Sequence, residues 1–184
     1  MASIDRAFEK VLRLEFANAG DALHYNKGEK GYTYMGVYEH AHPEWGGWVK
    51  VRKALIGSLS MTEASKKLYA DHELTFEVMR FYKEKFWDRM RLDEVKSQKI
   101  AEEMFVFAVN AGIGTAVKAA QSVIGVVVDG VLGSKTIAAL NGFDESRFDK
   151  EFDQMEVKHY EKLAAGNAGF EKFLKGWKNR AVAV

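Results

Sequence analysis

Apolar residues recur every three to four positions along most of the chain, and this period predicts a mainly helical protein. The first helix is predicted to run from about Ser3, a candidate N-cap, to about Phe16. Its apolar face carries Ile4, Phe8, Val11 and Leu12. Only one proline is present, Pro43, so few positions force a helix to break.

Residues 17–46 lack this helical period. They contain the single proline, several tyrosines and histidines, and the glycines Gly20, Gly28, Gly31, Gly36 and Gly46. Glycine and proline are typical of turns, so the segment is predicted to form a long loop or a small hairpin region. An irregular segment of this length inside a compact domain usually serves a function.

Helical periodicity returns after this segment. A helix is predicted from Trp48, and Ser60 with Glu63 has the spacing of a capping box at the start of the next one. A further helix from about Ser97 is apolar on both faces, which indicates a buried central helix that Gly112 ends.

The last third of the chain continues the same pattern. Asp129-Gly130 predicts a turn, and Ser134 is the expected cap of a short helix that ends near Leu140. No internal repeat, low-complexity segment or linker divides the sequence. Residues 1–184 are therefore predicted to form a single, mainly α, globular domain.

Composition and charge exclude several classes of protein. The 184 residues suffice to bury one hydrophobic core without disulfides, and the absence of cysteine excludes thiol catalysis and cysteine-based zinc sites. The 27 lysines and arginines nearly balance the 26 acidic residues, so a net charge of +1 creates no global field for nucleic acid or anionic membranes. No secretion signal or membrane span is expected, because no stretch is suitably long and apolar.

One charged residue interrupts the apolar face of the first helix. Continuing the spacing of Phe8, Val11 and Leu12 leads to Glu15, which stands in place of an apolar residue. A helix C-terminus and burial both disfavour a negative charge, and a carboxylic acid that keeps its proton can act as a general acid. The alternative is a structural role, in which Glu15 accepts hydrogen bonds from loop amides or pairs with a basic residue.

The sequence around Glu15 resembles the opening of phage-type muramidases. In that family the first helix ends in a catalytic glutamate and a Gly-x-Thr-x-x-Gly segment follows, which here is Gly31-Tyr-Thr33-Tyr-Met-Gly36. Further landmarks of the bacterial and phage N-acetylmuramidases with a C-terminal peptidoglycan-binding region occur in order along nearly the whole chain. They are Phe86-Trp-Asp88, Phe107-Ala-Val-Asn110-Ala-Gly112, Ala119-Ala-Gln121, Val128-Asp-Gly130-x-x-Gly133-x-Lys135-Thr136 and Phe173-Leu-Lys-Gly-Trp177-x-Asn-Arg180.

The resemblance implies a lysozyme-like architecture, with a catalytic-glutamate half in residues 1–95 and a peptidoglycan-binding half in residues 96–184, packed as one unit. It also implies a glycosidase without a cofactor, which cleaves the glycan strand between N-acetylmuramic acid and N-acetylglucosamine with Glu15 as general acid. The chain departs from the family immediately after this glutamate, where residues 16 and 17 are Phe and Ala instead of two glycines.

The partner of the general acid stays open at this stage. Asp21, Glu29 or a water held by Thr33 would act on the other face of the sugar, and a long separation of the carboxylates predicts inversion, a short one retention. If water cannot reach that face, the sugar's own hydroxyl closes on the anomeric carbon and the enzyme is a lytic transglycosylase.

Aromatic residues of segment 17–46 are candidates for binding sugar faces. Tyr25, Tyr32 and Tyr34 have flat rings that could stack on sugars, or that could instead seal one end of the core. In the C-terminal half the resemblance assigns Asn110 and Gln121 to substrate binding, although Asn110 could equally cap the central helix.

A metal site is not predicted. His40 and His42, with Glu39 and Glu44 close by, have side chains that zinc accepts, but no remote further ligand is recognisable.

The resemblance further implies where such an enzyme works. The expected partner is the glycan strand of peptidoglycan, with no nucleic acid and no stable membrane insertion, and a monomer is expected. A phage or prophage endolysin is made in the cytoplasm and acts at the cell wall or periplasm after release by a holin, and a host enzyme serving secretion fits equally well. The alternative from another class is a catalytically silent wall-binding or structural module, because the family's two glycines are absent.

Overall fold

The computed structural model describes residues 1–16 and 18–181 and confirms the mainly helical class with a small hairpin region. The α-helices are α1 (Ile4–Glu15), α2 (Trp48–Ile56), α3 (Met61–Tyr69), α4 (His72–Tyr82), α5 (Gln98–Ala111), α6 (Ile113–Ile124), α7 (Ser134–Leu140), α8 (Glu145–Gly166) and α9 (Glu171–Ala181). The strands are β1 (Leu23–His24), β2 (Thr33–Tyr34) and β3 (Val37–Tyr38). A π-helical turn and short 3-10 turns follow α4, at Lys83–Trp87, Asp88–Met90 and Leu92–Glu94, and another precedes α9 at Ala168–Phe170.

The chain forms two compact units. One contains residues 11–82, and the other contains residues 1–10 together with residues 83–184. The predicted division into halves at residues 95 and 96 stays a prediction. No helix in the described parts of the chain is long and apolar enough to cross a lipid bilayer.

The unit of residues 11–82 contains the small sheet, in which β1, β2 and β3 are antiparallel neighbours in chain order. The register sets Leu23 beside Tyr34 and Tyr34 beside Val37, and all three side chains are buried on one face. Met35 and Gly36 join β2 to β3 with φ angles of 46° and 81°, the pattern of a two-residue type I′ hairpin turn. The loop predicted over residues 17–46 is therefore organised around a tight hairpin.

Helix α3 anchors this hairpin region from one side. Its N-cap Ser60 accepts a hydrogen bond from the Glu63 amide at 3.1 Å, as the capping-box spacing predicts. The reciprocal bond differs from the prediction, because the Glu63 carboxylate accepts from the amide of Leu59, one residue before the cap, at 2.8 Å. Farther along α3 the buried Ser65 hydroxyl accepts from the Leu23 amide and donates to the Ala19 carbonyl, which ties β1 and its approach to the helix.

In the other unit the predicted central helix is confirmed as α5. Ser97 caps it by accepting from the Ile100 amide at 3.1 Å, and residues 100–108 are buried without interruption. Gly112 ends the helix at a φ of 88°, a conformation that side-chain-bearing residues rarely adopt. Helices α6 and α8 both pack against α5.

The turn after α6 also forms as predicted, with Gly130 at a φ of 79°. The buried Gln121 holds it, because its amide nitrogen donates to Asp129 at 2.7 Å and its amide oxygen accepts from the Gly130 amide at 2.8 Å. The predicted cap of α7 is wrong. Ser134 is the first helical residue, and Gly133 is the N-cap without a side-chain bond, because the turn delivers an extended glycine to that position.

Two adjacent acidic residues lie buried on α5. Glu102 is satisfied by Lys10 at 2.7 Å and by the Gln98 amide at 2.8 Å. Glu103 is fully buried, and neither carboxylate oxygen has a hydrogen-bond partner in the described structure. The carboxylates of Asp149 and Asp153 on α8 face it, with ligand atoms all within 4.8 Å of one another.

Burial raises the pKa of the Glu103 carboxyl group to about 9, and the negative charges of the nearby Asp153 and Asp149 act in the same direction. Lys10 opposes this rise, and Lys99 pairs with Asp149 at 3.0 Å. The folded chain therefore holds the Glu103 proton more tightly than the unfolded chain does.

We expect Glu103 to make the protein less stable as the pH rises. The contribution of protonated Glu103 to the free energy of unfolding is fully present below its ordinary pKa of 4.5 and is lost as the pH rises toward about 9. Glu103→Gln should therefore raise the free energy of unfolding at pH 8 by at least about 1 kcal/mol, with a much smaller gain at pH 4. Denaturant unfolding at the two pH values measures this, with the exposed Glu171→Gln as control. Parallel stability curves for wild type and Glu103→Gln would contradict it.

Candidate active site

A pocket of ≈ 480 Å³ surrounds the C-terminal end of α1 within the unit of residues 11–82. Two of the carboxylates proposed from sequence, Glu15 and Asp21, line it together. The other lining residues are Phe16, Gly20, Leu23, His24, Asn26, Met61 and Thr62. The pocket is more polar than an apolar ligand cavity and suits a hydroxyl-rich ligand.

Glu15 is the last residue of α1 and is half-buried. Its carboxylate packs against the hairpin turn, since a Cβ added to Gly36 would lie 3.3 Å from Glu15 Oε2. The same Cβ would lie 2.1 Å from the hydroxyl of Tyr82, which donates to the Met35 carbonyl at 3.0 Å. Only glycine fits at position 36, and its absent side chain is what lets the carboxylate approach the turn.

Asp21 is exposed at the mouth of the same pocket. It sits in a tight turn in which its amide donates to the Asn18 carbonyl at 3.0 Å, and its carboxylate accepts from the Asn18 side chain at 2.6 Å. The nearby His24 ring nitrogen lies 3.3 Å from the Asp21 carbonyl. The other carboxylate oxygen of Asp21 accepts no hydrogen bond from residues 1–16 or 18–181.

Glu29 is directed into its own turn. One carboxylate oxygen accepts from the Asn26 side-chain amide at 2.9 Å, and the other is buried with no hydrogen-bond partner among the residues that the structure describes. The Tyr25 hydroxyl donates to the Glu29 carbonyl at 2.8 Å. Glu29 does not line the pocket of Glu15. Of the two candidates for the second carboxylate, the structure brings only Asp21 into the same pocket.

Thr33 lies on β2 between His24 and Tyr38, on the half-exposed face of the sheet opposite the buried one. It is absent from the pocket lining. A role in holding water is thus compatible with its exposure and stays a prediction.

The three candidate sugar-binding tyrosines have different environments. Tyr25 and Tyr32 meet edge to face at a ring distance of 5.5 Å, and Tyr25 is exposed. Tyr34 is fully buried and stacks on Trp45 at 6.2 Å, and burial raises the pKa of its hydroxyl. Tyr25 and Tyr32 are available to stack on a sugar, whereas the Tyr34 ring belongs to the core.

Asn110 and Gln121 belong to the other unit. Asn110 is exposed at the end of α5 and donates to the Tyr160 hydroxyl at 2.5 Å. Gln121 is buried and its amide is engaged by the Asp129-Gly130 turn. These contacts are structural ones, and a role of either residue in substrate binding stays a prediction.

Several pocket residues could not be found from the sequence. His24, Asn26 and Thr62 carry no motif, and they meet only because β1 and the start of α3 are brought together in the folded unit. The hydrogen bond from the Tyr82 hydroxyl to the Met35 carbonyl joins residues 47 positions apart in the chain, so no local sequence pattern indicates it.

Among the described residues, neither His40 nor His42 belongs to a group of side chains close enough together to hold a metal ion. The His42 ring packs on Phe81 at 4.7 Å, and Glu39 is held by Arg52 at 2.7 Å. Burial alone would raise the pKa of Glu39, but hydrogen bonds from Arg52 and from the Tyr32 amide outweigh it and hold the pKa below its ordinary value. Glu103 with its two aspartates is the described group whose oxygens are near enough to share a cation.

Comparison with known protein families gives two matches along the chain. The family model described as Glycosyl hydrolase 108 matches residues 16–112, directly after Glu15, and the model described as Predicted Peptidoglycan domain matches residues 115–182. A search of curated proteins finds no match.

A solved structure, titled "Structure of Brucella abortus SagA", has a similar fold. Its TM-score is 0.64 at 23% sequence identity, and the alignment covers 97% of this chain and 88% of that chain. This likeness concerns the fold.

The hairpin turn provides a test of the geometry around Glu15. Gly36→Ala combines an unfavourable positive φ with a clash against Tyr82, and we expect it to lower the free energy of unfolding by more than about 2 kcal/mol. Gly28→Ala is the matched control, because Gly28 has a φ of 97° but no atom within 4 Å of an added Cβ, and should cost about 1 kcal/mol. Denaturant unfolding of both variants measures the difference, and equal costs would contradict the close approach.

Proposed function

The chain belongs to the glycosyl hydrolase 108 family, and from this premise we propose that Glu15 is the general acid with which it degrades peptidoglycan. The enzyme is a muramidase, a glycosidase that acts on the glycan strand between N-acetylmuramic acid and N-acetylglucosamine. The observation that carries the role of Glu15 is its half-buried carboxyl group, which lines the pocket at the end of α1 beside the glycine turn.

In the proposed reaction Glu15 donates its proton to the glycosidic oxygen as the bond to the anomeric carbon breaks. The departing sugar leaves as an alcohol, and positive charge develops on the ring that remains. General acid catalysis of this kind needs a carboxyl group within hydrogen-bonding reach of the leaving oxygen. The pocket beside Glu15 offers room for that oxygen.

Asp21 is our preferred second carboxylate. It lines the same pocket as Glu15, and one of its oxygens is not used by Asn18. From there it would stabilise the developing positive charge or activate the attacking water. Glu29 is less suited, because Asn26 engages one oxygen and the other is buried.

The C-terminal region supplies attachment to the same polymer. Residues 115–182 match a peptidoglycan domain, so peptidoglycan is the substrate of the chain as a whole. A catalytically silent wall-binding module would need only this region and gives no account of the glycosyl hydrolase match over residues 16–112.

We also propose a biological setting for the enzyme. The resemblance to phage muramidases supports a phage or prophage endolysin that acts as a monomer at the wall after release by a holin. A host enzyme that opens the wall for secretion would use the same chemistry.

Replacing Glu15 by glutamine tests the general acid directly. The amide keeps the size of the side chain but has no acidic proton, so we expect the rate of clearing of permeabilised Gram-negative cells to fall at least about 100-fold. The variant should unfold at the wild-type temperature. Glu73→Gln, which changes a carboxylate with a side chain 89% exposed in the same unit, is the control and should clear at the wild-type rate.

Equal clearing by wild type and Glu15→Gln would remove Glu15 from the mechanism. Mass spectrometry of the fragments released by wild type identifies the acceptor, because hydrolysis leaves reducing muramic acid ends and transglycosylation leaves anhydro ends. We expect reducing ends.

A parallel pair of variants tests the second carboxylate. Asp21→Asn should lower the rate of clearing about 100-fold, because its charge no longer supports the positive sugar ring. Glu29→Gln should lower it less than about tenfold, since that side chain is engaged in its own turn. The same turbidity assay measures both. A larger loss of clearing in Glu29→Gln than in Asp21→Asn would make Glu29 the second carboxylate. Full activity of both variants would leave a water held by Thr33 as the remaining candidate, and Thr33→Val then tests it.

A further inference from the structure

A second pocket, of ≈ 490 Å³, lies between α6 and α8 in the unit that contains residues 83–184. It is formed by Phe107, Gly114, Thr115, Lys118, Ala119, Ser122, Met155, Lys158, His159 and Lys162. The glycosidase mechanism uses none of these residues. They fall almost wholly within the region that matches a peptidoglycan domain, for which no binding surface has been identified above.

The two helices present equivalent faces to this pocket. Helix α6 contributes positions 115, 118, 119 and 122, and α8 contributes positions 155, 158, 159 and 162. Both sets follow the i, i+3, i+4, i+7 spacing of a single helix face. The pocket is thus a continuous strip along both helices, and its lining is fixed by regular secondary structure.

The charges of this strip are all of one sign. Lys118, Lys158 and Lys162 contribute three ammonium groups, and no lining residue is acidic. None of the three forms an ion pair within the described ranges, although many other lysines of the chain do. Lys158 and Lys162 are four residues apart on α8, a spacing at which like charges repel. An anionic ligand would relieve this repulsion.

The floor of the pocket is apolar and aromatic. Phe107 meets the His159 ring edge to face at 5.5 Å, and Ala119 and Met155 complete the surface. Burial, and then the charge of Lys162, lower the pKa of His159, which favours the neutral form of its ring. A ligand that fits therefore carries a negative group for the lysines and an aliphatic part for the floor.

The turn after α6 holds one of these lysines in place. A Cβ added to Gly130 would lie 3.1 Å from Lys118 Cε, so the missing side chain leaves room for the lysine stem. The side-chain amide of Gln121 holds that turn by hydrogen bonds with the Asp129 carboxylate and the Gly130 backbone amide. Gly114 lies beside the same turn, since its carbonyl oxygen would be 3.7 Å from the Cβ added to Gly130, and no atom lies within 4 Å of a Cβ added to Gly114 itself.

We propose that this pocket binds a carboxylate of the peptide stem of peptidoglycan. In the polymer the lactyl carboxyl group of muramic acid is converted to an amide by the stem, so the stem's own carboxylates carry the negative charge and its side chains are partly aliphatic. The lysines bind the former and the Phe107 floor packs against the latter. The inference rests on the proposed action on peptidoglycan and adds the part of the polymer that this unit recognises.

The test measures binding of a disaccharide-tetrapeptide, GlcNAc-MurNAc with one stem, to the wild-type chain by isothermal titration calorimetry. This ligand has no linkage from MurNAc to a following GlcNAc, so a muramidase does not turn it over. Two comparison ligands are the disaccharide without a stem, with its lactyl carboxyl group capped as a methylamide, and the disaccharide-tetrapeptide with its carboxylates amidated. The double variant Lys118→Gln, Lys162→Gln removes pocket charge, and Lys150→Gln, an exposed lysine on α8 outside the pocket, is the matched control.

The wild type and Lys150→Gln should bind the disaccharide-tetrapeptide with equal affinity. The double variant should bind it at least about tenfold more weakly, since each lost charge-assisted hydrogen bond costs roughly a factor of ten. Amidation should weaken binding to the wild type similarly, and the disaccharide without a stem should not bind in this range.

Equal affinity of the double variant and the wild type would overturn the proposal, as would equal binding of the amidated ligand. Displacement of the stem by inorganic phosphate at equal concentration would also overturn it, because it would indicate an unspecific anion site. The result is independent of Glu15. If Glu15→Gln loses clearing but the double variant binds the stem as the wild type does, only the pocket proposal is refuted. If Glu15→Gln clears as the wild type does but the double variant loses stem binding, only the catalytic role of Glu15 is refuted.

Discussion

The close approach of the Glu15 carboxylate to the Met35-Gly36 turn is the constraint on which the candidate active site depends. The Glu15 carboxylate and the Tyr82 hydroxyl can both approach the turn only because residue 36 has no side chain. Both residues of the turn have positive φ angles, so the tight hairpin and the packing of Glu15 impose the same requirement on position 36. A local backbone rule thereby fixes the position of the carboxyl group that we propose as the general acid.

This constraint explains why the first helix ends where it does. Its apolar face continues through Val11 to the level of position 15, where the hairpin and not the hydrophobic core meets the helix. A carboxylate there is half-buried and still lines a pocket that reaches solvent. An apolar residue at the same position could not exchange a proton.

Much of the fold follows from local rules that one sequence displays. The cap at Ser60, the helix start near Ser97 and the glycine stop at Gly112 form as expected, because each involves residues close in the chain. The cap expected at Ser134 fails because the preceding turn, held by the distant Gln121, sets the backbone there. The candidate site divides in the same way. Glu15 could be proposed from the helical period, whereas its pocket neighbours His24 and Thr62 come together only through tertiary contacts.

We propose that the two pockets bind two different parts of one polymer. The pocket of Glu15 is polar and contains acidic groups, as cleavage of a neutral glycan requires, and the lysine pocket between α6 and α8 has the opposite charge. The net charge of the chain is only +1, but acidic and basic side chains are gathered in separate pockets. The most direct measurement is a crystal structure of Glu15→Gln with a bound glycan fragment that spans the scissile linkage. The account predicts the glycosidic oxygen within about 3.2 Å of the residue 15 side chain. A glycan bound productively with that oxygen out of reach of residue 15 would contradict it.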